Sequence, residues 1–96
     1  MKSKIEVKRM LVKNSMETLN YLDELASEEK ITDIEDLIIT VKGDLSDLKK
    51  TQTTGTVSHE EYSREMSRIR TNILNIIEEV PDRLFSTKAE KDARTI

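Results

Sequence analysis

The sequence predicts an all-α fold, a small helical bundle of about four helices built on a long antiparallel helical hairpin. Three features predict it. Large apolar residues recur at three- and four-residue steps through most of the 96 positions. Helix breakers are scarce, with 2 glycines and 1 proline. Ser, Thr or Asn also stands three residues ahead of Glu where several apolar runs begin, the spacing of a capping box.

A first helix is expected from Ser3 to about Lys13, with Ile5, Val7, Met10, Leu11 and Val12 as a broad stripe. Asn14 and Glu17 have the capping-box spacing, and Met16, Leu19, Leu22 and Ala26 follow at helical steps, widened by Tyr21 and Leu25. Thr32 and Glu35 repeat the box and open a third helix. Asp33, Glu35 and Asp36 place negative charge at the positive end of its dipole. Its core face reads Ile34, Leu37, Ile38, Val41, Leu45 and Leu48. Gly43 lies inside this run. A helix-interior Gly costs about 1 kcal/mol relative to Ala, which points to close approach of another helix at that position.

The segment Thr51–Val57 interrupts the pattern, with Gly55 available for a positive φ beyond the helix end. Ser58 and Glu61 form a third capping pair, and Val57 and Tyr62 occupy the two ends of a hydrophobic staple. Tyr62, Met66, Ile69, Ile73, Ile76 and Val80 then alternate steps of four and three, a coiled-coil-like seam broadened by Leu74 and Ile77. Pro81 ends this fourth helix. The third and fourth helices are each about 20 residues, hence about 30 Å long. A short connection makes them antiparallel neighbours, covered on their apolar side by the two shorter helices. Residues 1–81 form the domain, and 82–96 read as a charged tail or linker stump with a short helical turn at most. A bare hairpin that dimerises along the same seam is the alternative architecture.

Charged residues make up 36% and hydrophobic ones 35%, which suits a bundle with a polar exterior. There is no cysteine, so disulfides and thiolate metal sites are excluded. No apolar run approaches the ~20 residues that span a bilayer, and no apolar segment follows the basic start, so no membrane and a cytoplasmic location are expected. Charge is split along the chain. Lys2, Lys4, Lys8, Arg9 and Lys13 oppose only Glu6, whereas residues 14–36 carry eight carboxylates against Lys30. These are either two solvated faces or complementary patches that draw copies together head to tail. Nucleic acid is not an expected partner of an acidic chain with 3% aromatics.

Catalytic chemistry is not expected. His59 is the only histidine and falls at the start of a helix, where solvent surrounds it. No phosphate loop, nucleophile elbow or metal-ligand spacing occurs, so no cofactor and no metal are expected. Arg64, Arg68 and Arg70 are the remaining cluster. Glu60–Arg64 and Glu65–Arg68 have the spacing of surface pairs, worth a few tenths of a kcal/mol. The alternative is an arginine-bearing contact face, with Asp33, Glu35 and Asp36 as a counterpart on another molecule.

The stretches VKGDLSDLKK (Val41–Lys50), GTVSHEEYSREMSRIR (Gly55–Arg70) and ILNIIEEV (Ile73–Val80) resemble the effector-associated domain of the eleventh type. Those are small bacterial helical domains attached to effectors or sensors of conflict and programmed-death systems. Gly43, Leu48, Gly55, Ser58, Glu60, Glu61, Tyr62, Glu65, Arg68, Ile69 and Arg70 fall on its pattern of a Gly-bearing helix, a Gly-hydrophobic-Ser turn and an E-E-x-x-x-E-x-x-R-I-R helix. The chain departs from it at Asp44, Leu45 and Thr71. The resemblance implies an adaptor that recruits a protein partner carrying a similar helical domain, or a second copy of itself. It carries over no catalytic residues. A complete chain would be a free-standing adaptor, and an excised one would have its effector beyond Ile96. Obligate dimerisation through the hairpin and a small helical transcription regulator reading DNA through Lys2–Lys13 are the alternative functions.

Overall fold

The computed structural model describes residues 2–86. They form α1 (Lys4–Lys13), α2 (Ser15–Glu28), α3 (Thr32–Thr54) and α4 (His59–Glu79), followed by a 3₁₀ turn over Asp82–Leu84. No strand occurs among the described residues.

Local chemistry sets the helix boundaries. The Ser3 hydroxyl accepts from the Glu6 N–H (3.1 Å) while Glu6 Oε1 accepts from the Ser3 N–H (3.3 Å), a complete capping box at α1. Asn14 and Ser58 cap α2 and α4 by accepting from the N–H groups of Glu17 and Glu61. The expected cap at Thr32 does not form. Thr32 is already helical, preceded by Ile31, and no side chain caps that end. The turn before it is too tight for one. Lys30 N–H donates to the Ser27 carbonyl (3.3 Å) and Ile31 N–H to the Ala26 carbonyl (2.9 Å), the two bonds of a Schellman closure. Lys30 takes the left-handed conformation this closure requires, with φ at 56°.

At the other end α3 runs four residues into the segment that interrupts the apolar pattern, through Thr54. The Thr51, Thr53 and Thr54 hydroxyls donate back to the carbonyls of Leu48, Lys49 and Lys50, which lets threonines continue the helix. Gly55 then stops it at φ 70°, again with paired closing bonds, from Gly55 to Gln52 and from Thr56 to Thr51.

α3 and α4 pair as an antiparallel hairpin. α2 packs on α3, α1 packs on α2 and α4, and α2 also reaches α4. The Cα envelope is broad and thin, 47 × 34 × 16 Å. Val41, Leu45, Leu48, Ile69, Ile73, Ile76 and Ile77 are buried between the hairpin and the shorter helices, where Val7, Leu11, Leu19 and Leu22 meet them. Tyr62 and Met66 pack half-buried at the core's margin.

Three expectations need correction. Leu37 is not core: it remains 46% exposed. It lies about 80° around α3 from Leu45, beside Ile76 and Glu79, and α4 stops at Glu79 without covering it. Gly43 is exposed, and a methyl there would meet no atom within 4 Å. Two residues before Leu45, it sits about 160° from the core direction, so close helix approach is not its role. Finally, the folded body continues past Pro81. Leu84 and Phe85 are buried, Leu84 beside Tyr21 and Leu25, and the Ser86 N–H donates to the Lys2 carbonyl (3.0 Å). The rest of the expected tail lies outside the described residues.

Candidate interaction surfaces

The three arginines do not share one face. Arg64 and Arg68 border a cleft of about 490 Å³ on the outer side of the α3–α4 hairpin, away from α1 and α2. Leu48, Val57 and Ile69 form its apolar floor. Its rim also carries Asp44, Asp47, Glu61 and Glu65, so the surface expected to be basic holds four carboxylates against two guanidiniums. The Arg68 Nε and Nη2 both donate to Glu65 Oε2, at 3.0 and 2.8 Å. That hydrogen bond, then the charge of Glu65 and more weakly that of Asp44, holds the Arg68 pKa above its ordinary value. Arg68 is therefore committed within its own helix. Glu60 and Arg64, spaced for a pair, do not form one.

Arg70 faces the opposite way. Two residues from Arg68, it projects about 160° around α4 and borders a second cleft, of about 240 Å³, at the corner between α1 and α2. There it meets Lys13 and Lys49 over a floor of Met16, Leu45 and Met66. Among the described residues no carboxylate lines this cleft, and none of the three cations is in an ion pair. From sequence, Lys13 is only one of the basic residues at the start of the chain and Asp44 only a departure from the family pattern, while Lys49 and Asp47 carry no expected role. Lys49 follows Leu45, and Arg70 follows Met66, by one helical turn, which puts each pair on one face. Only the fold adds the α1–α2 corner that brings Lys13 to them.

Asp33 and Asp36 are exposed and Glu35 half-buried at the start of α3. Asp36 is twelve residues from Leu48, about 18 Å along the helix, so the acidic start of α3 and the outer cleft lie at different ends of the hairpin. His59 is exposed. Among the described residues no group of three or more His, Cys, Asp or Glu could hold a metal ion, and no helix is long and apolar enough to cross a membrane.

Effector-associated domain 11 matches residues 3–81, from the α1 capping serine to the proline after α4. The chain belongs to that family. No curated protein and no solved structure matches it significantly. For an effector-associated domain 11 the membership points to an adaptor-type role in an effector system. Both clefts lie within the matched residues, the outer one on α3, α4 and their connection and the second where the α1–α2 corner meets them.

Proposed function

We propose that this domain is a non-enzymatic adaptor that couples a sensor to an effector of a bacterial conflict system by associating with a partner that carries a similar helical domain. Membership of the effector-associated domain 11 family, over nearly the whole described fold, is the observation that carries this reading. The chemistry of the surface supports it. The clefts are shallow grooves on a helical face, with charged rims over apolar floors, the make-up of a contact between proteins. Rim ion pairs contribute about 0–1 kcal/mol each, so single contacts are weak and clustering of tethered copies makes them effective.

Binding measurements against proteins carrying effector-associated domain 11 and encoded near this chain test the reading. Saturable binding that weakens when salt rises from about 50 to about 300 mM, which shortens the Debye length from roughly 14 to roughly 6 Å, supports it. No binding to any such protein, nor to the chain itself, contradicts it.

A further inference from the structure

The two clefts occupy opposite faces of the same stretch of hairpin. Asp47 and Lys49 on α3, like Arg68 and Arg70 on α4, are two residues apart and so project about 160° apart. One face of the slab therefore presents Lys13, Lys49 and Arg70 with no carboxylate among the described residues that line it. The other presents Asp44, Asp47, Glu61 and Glu65 with Arg64 and Arg68 around a larger groove, a net negative rim in which Arg68 is held by Glu65. Asp47 and Glu61 are exposed and, like the three cations of the basic cleft, in no ion pair among the described residues.

We propose that copies of this chain stack front to back, the basic cleft of one seated on the acidic groove of the next. The proposal rests on the like-with-like reading above and specifies its geometry. A two-fold contact through the basic cleft would bring like charges together, and one through the groove would set two net-negative rims against each other, whereas basic on acidic matches both the net charges and the apolar floors. In such a pair one copy keeps its acidic groove unused and the other its basic cleft, so the contact is heterologous and propagates. The molecule is suited to stacking because it is thin, 16 Å across its short axis. The first and last described residues stay clear of the contact. Lys2 and Ser86 meet at the C-terminal end of α4, and neither borders either cleft.

The test uses two neutralised variants of the full chain, Lys49→Gln/Arg70→Gln and Asp47→Asn/Glu61→Gln. All four residues are exposed, so both variants should keep the wild-type thermal midpoint. At low salt the wild-type mass, followed by light scattering, should climb with concentration and show no plateau at the dimer. Each variant alone should need a higher concentration, by up to about thirty-fold, the effect of losing two rim ion pairs. An equimolar mixture of the two should stop at one-to-one pairs, since one intact basic cleft meets one intact acidic groove and both outer faces are dead. A wild-type plateau at the dimer, or a mixture that polymerises, would overturn the stack. So would duplex DNA binding that the Lys49→Gln/Arg70→Gln variant loses, without self-association of the wild type. If the wild type stays monomeric but binds a protein carrying effector-associated domain 11, stacking falls and the adaptor reading stands. If it binds neither, both fall.

Discussion

Lys4 Nζ lies 2.8 Å from Glu78 Oε2, tying the first turn of α1 to the last turn of α4. Lys8, one turn further along α1, reaches the other oxygen of the same carboxylate at 3.0 Å. Hydrogen bonds from Lys4 and then Lys8 hold the Glu78 carboxyl below its ordinary pKa. Its contribution to stability is therefore complete above the unfolded value of about 4.3 and is lost as pH falls through the lower folded value. The wild-type thermal midpoint should drop more steeply than that of Glu78→Gln on acidification from about pH 5 to below 4. Parallel curves for the two proteins would show that the strap does not contribute.

Lys30 holds a left-handed conformation that glycine adopts without penalty. Lys30→Gly should raise stability by up to about 1 kcal/mol, because the folded backbone is relieved by more than the unfolded chain gains in freedom. Gly55→Ala should do the reverse, costing about 1 kcal/mol at φ 70°. Denaturant midpoints measure both. A loss of stability in Lys30→Gly would mean that the lysine stem contributes more than its backbone strain costs.

Gly43 is open to solvent in mid-helix, so Gly43→Ala should gain up to about 1 kcal/mol from helix propensity. Gly43→Leu should be tolerated as well, since nothing stands within 4 Å of the added carbon. A clear destabilisation by Leu in thermal melts would place a neighbour where the fold has none.

Ile73 is fully buried between the hairpin and the shorter helices. Ile73→Asp strands a charge in the core, at a cost of several kcal/mol that is comparable to the whole stability of a small domain. The variant should be unfolded or molten by circular dichroism and proton NMR. A cooperative melt at the wild-type temperature would refute the packing.

The periodicity of Tyr62 to Val80 and the capping pairs at Asn14 and Ser58 made the helices and the hairpin legible, because both signals are local. What the sequence hid depends on how elements meet. Leu37 continues the three- and four-residue spacing of α3, yet it turns about 80° away from Leu45 and stays exposed beside Ile76 and Glu79. Leu84 and Phe85 lack a helical pattern, yet a single 3₁₀ turn folds both back inward. The left-handed Lys30 has no glycine to announce it. In the candidate site, helix phase alone separates Arg70 from Arg64 and Arg68. The basic cleft also needs Lys13, which is 36 residues from Lys49 and 57 from Arg70 along the chain.

The central claim is that copies of this chain associate with one another through the charged faces of α3 and α4. Sedimentation velocity on the wild-type chain, over a wide concentration range at low and high salt, tests it most directly. The account predicts a weight-average mass that rises with concentration at low salt and falls back to the monomer as screening shortens the reach of the rim charges to a few ångströms. A chain that stays monomeric at every concentration, or a tight dimer indifferent to salt, would contradict it.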